Sequence, residues 1–131
     1  MEVESRMEVS RRAEPFRYTM EPALACLIRP YELNRHPIDS KPAEAELLDL
    51  SPKGCKLDCS LNFRTQHNEC KLEIAFQLEG SLKLRGTIVW QEVRAHGFRY
   101  GIRFEEGAQQ LITDELKRYS RRKIHSKDEP S

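Results

Sequence analysis

From residue 70 to residue 104 the chain alternates between apolar and polar side chains with few interruptions. Leu72, Ile74, Phe76 and Leu78 are interleaved with Lys71, Glu73, Ala75 and Gln77. This period of two marks a strand with one buried face. Glu79-Gly80-Ser81 turns the chain, and Leu82, Leu84, Gly86, Ile88 and Trp90 carry the next strand. Phe98, Tyr100, Ile102 and Phe104, interleaved with Arg99, Gly101 and Arg103, carry the last. Upstream, residues 43–50 and Cys55–Cys59 read as two strands joined by the tight turn Ser51–Gly54, hence an antiparallel hairpin. Residues 17–29 read as the first strand, with Pro22 placing part of it at an edge or bulge. Pro30, Asn34, Pro37 and Pro42 predict a loop over 30–42, and residues 60–68 form a polar loop.

After Glu105-Glu106-Gly107 the period changes. Leu111, Ile112, Leu116 and Tyr119 fall on one helical stripe. Asp114 and Glu115 precede Lys117 and Arg118 and predict pairing on the helix surface. About six short strands and one helix close most simply into a small barrel or sandwich. The predicted organisation is a polar arm over 1–16, a β domain with its helix over 17–120, and a basic-then-polar tail over 121–131.

Length and charge narrow the function. A chain of 131 residues fits one domain with a real core. Lys and Arg number 22 against 21 Asp and Glu, so the surface as a whole is no magnet for nucleic acid, and no DNA or RNA partner is expected. No apolar run approaches the ~20 residues of a membrane span. Met-Glu-Val-Glu-Ser-Arg lacks the basic-then-apolar pattern of a signal peptide, so the expected compartment is the cytoplasm. Cys55 and Cys59 flank Leu57 on one strand face, and Cys70 is in phase with Leu72 and Ile74; with Cys26 they read as reduced, buried hydrophobes and not as metal ligands. His36, His67, His96 and His125 have no Ser, Cys or carboxylate at a recognisable catalytic spacing, so no enzyme and no catalytic residue is predicted.

Two segments carry candidate chemistry. Arg11, Arg12 and Arg17 lie at and just before the first strand; each guanidinium offers a planar fork for phosphate oxygens or a purine face. Asp49-Leu50-Ser51-Pro52-Lys53-Gly54 is an acceptor-rich turn: Asp49 can accept from a guanine edge, Ser51 adds a hydroxyl, and Gly54 permits a positive φ and close ligand approach. Each has a plainer alternative, a solvated, Glu-balanced arm and an ordinary hairpin turn.

Taken in order, these segments resemble the PilZ domain, whose motifs are R-x-x-x-R before the first strand and [D/N]-x-S-x-x-G after the second. Asp49 to Gly54 matches the second motif. Arg85-Gly86-Thr87-Ile88-Val89-Trp90 and Tyr100-Gly101-Ile102-Arg103-Phe104 resemble the family's later strands. The resemblance spans roughly residues 11–120 and implies a six-stranded antiparallel β-barrel followed by a C-terminal α-helix. It also implies a receptor for the bacterial second messenger cyclic di-GMP, gripped by Arg12 and Arg17 with Arg11 as a third contact, and read by Asp49 and Ser51 at a turn that Gly54 opens. Ligand would order the arm and signal to a protein effector, as in motility control. Arg12 and Arg17 have four residues between them, one more than the motif, with Glu14 and Pro15 inside the gap. The rival reading is therefore a degenerate PilZ-like interaction module without nucleotide. The basic run Lys117–Lys123 reads as the last turns of a helix, favourable to its dipole. Tyr119 and Ile124 leave a homodimer contact open.

Overall fold

The structure is a computed structural model and describes residues 17–128, with side chains described through Arg121. The expected arm, with Arg11 and Arg12, lies outside the described residues. The elements are β1 (Tyr18–Leu33), β2 (His36–Pro37), β3 (Ala43–Leu50), β4 (Gly54–Cys59), β5 (Cys70–Gln77), β6 (Ser81–Arg94), β7 (Gly97–Phe104) and α1 (Gln109–Asp128). All strand pairings are antiparallel, in the order β2-β1-β3-β4-β7-β6-β5. Pairing of β1 with β5 closes the six long strands into a barrel, which removes the exposed sheet edges. The predicted six-stranded barrel with a C-terminal helix is the architecture observed.

The alternation builds this core directly. Leu72, Ile74 and Phe76 of β5, Leu82, Leu84 and Ile88 of β6, and Tyr100, Ile102 and Phe104 of β7 all point inward. So do all four cysteines, which are free and buried. Burial raises each thiol, Cys26 to about 12 and Cys70 to about 11, so they remain neutral packing groups.

The expected loop over 30–42 changes. Residues 30–33 are strand, not loop: β1 runs through Pro30 to Leu33. A ladder irregularity between Pro30 and Glu32 accommodates the residue without an N–H. Asn34 and Arg35, both at positive φ, then make a two-residue hairpin turn into β2. Pro22 does fall where expected, in the irregular stretch between Thr19 and Leu24.

The helix also differs from its predicted stripe. It continues past residue 120, through most of the expected tail, to Asp128. Ile112 and Leu116 are buried in the core cluster, each contributing about 1.5–3 kcal/mol, whereas Leu111 is exposed. Glu115, predicted on the surface, is buried and accepts a 2.6 Å hydrogen bond from the Gly80 N–H in the β5–β6 turn. Arg118 also donates to it. Tyr119 meets Tyr18 edge-to-face at 5.3 Å, so the helix is tied to the start of β1. At the loop over 60–69, Phe63 packs on Tyr100; the Tyr100 hydroxyl donates to the Leu61 carbonyl at 2.7 Å and accepts from the Phe63 N–H at 3.0 Å.

Candidate ligand-binding cleft

Among the described residues only Asp49, Ser51 and Glu115 are buried polar side chains, and the first two belong to the predicted turn motif. The end of β3 and the start of β4 bring them together. Asp49 pairs across the ladder with Thr19 of β1 and Lys56 of β4, beside an irregularity in the β3–β4 register. Its carboxylate accepts from Arg17 Nη1 at 3.0 Å and from the Lys56 N–H at 2.9 Å, and the Lys56 ammonium lies 3.6 Å away. Arg17, from the segment entering β1, is thereby held against the turn motif 32 residues later.

Ser51 is fully buried. Its hydroxyl donates to the Gly54 carbonyl at 3.1 Å and accepts from the Gly54 N–H at 3.3 Å, which locks the β3–β4 turn. Gly54 is needed for a different reason than expected. It is not among the positive-φ residues; instead, a Cβ there would collide with the backbone carbonyl of Ile102 on β7. The close approach is between two strands. Lys53 extends this contact, because its carbonyl accepts from the Phe104 N–H at 2.8 Å.

Outside this turn lies a cleft of about 520 Å³ over the outer face of β4, β6 and β7. Arg17, Lys53, Lys56 and Arg103 supply its cations, and Trp90 and Gly101 its wall. Strict alternation from Ile88 would send Trp90 into the core. The structure places it outside, 41% exposed, because β6 carries an extra residue: Ile88 pairs with Ile102 while Trp90 pairs with Gly101, leaving Val89 as a bulge. The indole lies directly over Gly101, where any Cβ would overlap the ring. Sequence reasoning missed Trp90, Lys56 and Arg103 as cleft residues. The available signal was Gly101, a small residue on the strand paired with an aromatic. Of the predicted site residues, Arg17, Ser51 and Gly54 line the cleft, and Asp49 lies behind Arg17.

The arrangement suits an anion with flat faces. Four cationic side chains with exposed ends attract phosphate, and an exposed indole offers a stacking platform. No group of three or more potential metal ligands occurs among the described residues. No helix among them is long and apolar enough to cross a membrane. A larger cavity, about 930 Å³, lies on another flank, across β1, β3, β4 and β7; Leu27, Glu44, Glu46 and the Asp58–Arg99 pair line it, and no turn-motif residue does.

The sequence profile of the PilZ domain matches residues 11–122. The chain belongs to the PilZ family. Solved PilZ structures share the fold. The PilZ domain of YcgR from Escherichia coli with c-di-GMP aligns with a TM-score of 0.60 at 14% identity, over 88% of this chain and 96% of that one. The Bacillus subtilis inhibitor of motility MotI/DgrA aligns at 0.58 and 14% identity, over 83% of this chain and 50% of its own. YcgR from Escherichia coli in complex with c-di-GMP aligns at 0.52 and 19% identity, over 85% and 48%. The chain thus spans about half the length of the two longer neighbours and nearly all of the isolated PilZ domain. No curated protein sequence matches it.

Proposed function

We propose that this PilZ domain is a non-enzymatic cyclic di-GMP receptor that binds ligand in the Arg17–Trp90 cleft and reports occupancy to a protein effector. The observation that carries this reading is the buried Asp49 holding Arg17 beside a cationic cleft walled by an exposed indole. Phosphates meet Arg17, Lys56 and Arg103, with Arg11 and Arg12 of the preceding segment as further cations. A guanine face lies on Trp90. Asp49 keeps lone pairs for a guanine N1–H and amino group once Arg17 turns toward phosphate. Ser51 and Gly54 shape the turn.

The ligand carried by YcgR in its complexes supports this choice of nucleotide, and the inhibition of motility named for MotI supports the effector role. Binding energy that moves Arg17 also pulls on Tyr18, and through it on Tyr119 of α1. Order in the arm and position of the helix are then the two outputs an effector can read.

Calorimetric titration with cyclic di-GMP, with GMP and cyclic di-AMP as controls, tests the reading. Selective binding at micromolar Kd or tighter is expected. Arg17→Ala should weaken it about 10- to 100-fold, the cost of one charge-assisted contact, without loss of fold. The Arg12–Arg17 spacing favours the degenerate module instead; no heat and no thermal stabilisation in the natural chain, with binding gained on deletion of Ala13, would establish that alternative.

A further inference from the structure

The larger cavity, about 930 Å³, crosses the outside of β1, β3, β4 and β7, and the nucleotide cleft makes no use of it. Strand register explains its shape. Ala75, Leu27 and Glu44 lie in one cross-strand row, and Ala25, Glu46, Asp58 and Arg99 lie in the next. The two alanines leave a hollow between longer side chains. Leu27, between Ala75 and Glu44, is 46% exposed in it.

The charges of this groove are not balanced within the barrel. Glu46 directly opposes Asp58 in the ladder, and like charges so placed destabilise a sheet. Arg99 satisfies Asp58 through two bonds, and Arg94 lies 3.8 Å from Glu92. Both arginines of the groove are therefore engaged. The exposed side chains of Glu44 and Glu46 have no hydrogen-bond or ion-pair partner among the described residues. Local conflicts of this kind concentrate at functional sites.

The chemistry selects the occupant. Two unpaired carboxylates repel the anions that suit the cleft and attract cations, and the exposed leucine rewards hydrocarbon beside the charge. β3 and β4 are each paired on both sides, which leaves no backbone edge for an added strand. Glu44 and Glu46 stand two residues apart on one strand, about 6.5–6.8 Å. Side chains at i and i+4 of a helix are spaced similarly, about 5–6 Å apart. We infer that this groove docks a basic amphipathic helix of a protein partner. Lys or Arg residues one turn apart meet Glu44 and Glu46, and a bulky apolar side chain covers Leu27. The docking does not depend on the nucleotide reading, because none of these three residues lines the cleft.

The test is amide NMR of the isotope-labelled full chain, titrated with two synthetic amphipathic peptides about four turns long. Both carry the same leucine stripe; one has Lys at its polar positions and the other Glu. Saturable shifts at Ala25 to Leu27, Glu44 to Glu46 and Asp58 are expected with the Lys peptide, at sub-millimolar Kd, and none with the Glu peptide. Glu44→Gln/Glu46→Gln should weaken binding at least ~10-fold. Leu27→Ala leaves the charges intact and should weaken it about 3- to 10-fold, the effect of an apolar contact of partial burial. All three side chains are exposed, so circular dichroism and cyclic di-GMP titration should not change in either variant. Arg17→Ala should leave peptide binding intact, so failure of the cleft and failure of the groove are read separately. Absence of shifts, shifts that map to the cleft or to α1, or unchanged affinity in either groove variant overturns the inference. Spermidine that gives the same shifts at equal affinity also overturns it, by marking a polyamine site and not a helix dock.

Discussion

Two arginine–aspartate pairs sit on the barrel, and they are built for different ends. On the flank, Arg99 of β7 and Asp58 of β4 are directly opposed in the ladder and meet through two bonds, Nε at 2.8 Å and Nη2 at 3.0 Å. Both are about a quarter exposed. The fork is satisfied, and the bond to Asp58 raises the Arg99 guanidinium above its usual range. At the cleft, Arg17 reaches Asp49 through one bond at 3.0 Å from a chain segment that is not yet strand. Asp49 is buried while Arg17 stays 41% exposed. A fork with donors to spare, anchored on a buried carboxylate, is poised for a second anion. Ladder position separates the two: cross-strand pairs hold a sheet together, whereas a pair that ties an entering segment to a turn can exchange partners.

Removing the two aspartates should break the comparison most sharply. Asp49→Ala frees Arg17 and leaves the Lys56 N–H without its acceptor. The expected loss is at least ~100-fold in cyclic di-GMP affinity and about 2–3 kcal/mol of stability by urea denaturation. Asp49→Asn, which keeps an acceptor for the Lys56 N–H, should recover most of the stability but not the affinity. Asp58→Ala should cost under ~1 kcal/mol, as for a part-exposed pair, with affinity unchanged. Equal affinity losses in the two alanine variants would erase the distinction.

Trp90→Ala sharpens the cleft side. The indole is exposed outside the core, so stability should change by less than ~1 kcal/mol, while affinity falls about 5- to 100-fold if one base stacks on it. The smallest effect lies at the helix. Burial pushes the Glu115 carboxyl up, but the Gly80 N–H, the Arg118 guanidinium and the Glu79 N–H outweigh it and hold it below its usual 4.5. A carboxyl depressed in the folded state contributes stability above its unfolded value and loses it as pH falls through the folded value. Melting temperature should therefore drop by a few degrees more in the natural chain than in Glu115→Gln between pH 6 and pH 3.

The barrel was legible because alternation maps onto burial strand by strand. Cys70 to Phe76 faces inward at every second residue, as the pattern requires. The turn motif was legible because Asp49, Ser51 and Gly54 act within six residues. What escaped depends on breaks in register. Pro30 extends β1 through an irregularity, and the bulge at Val89 turns Trp90 outward. Period-two reasoning carries no signal for an added residue. Glu115 escaped because its partners, the Gly80 N–H and the barrel end, are distant in sequence. Lys56 and Arg103 become cleft residues only when β4 and β7 lie side by side.

The irregularity in β1 between Thr19 and Leu24 has a mechanical side. Tyr18 pairs with Leu50 and Thr19 with Asp49, and the ladder to β3 then breaks before resuming at Leu24 with Leu47. A tug on the chain before Arg17 is borne first by this short patch, like the first teeth of a zip separated from the rest by a gap. The patch can peel without unfastening the barrel, so amide protons at Tyr18 and Thr19 should exchange with solvent on their own clock, well ahead of those from Leu24 to Ile28.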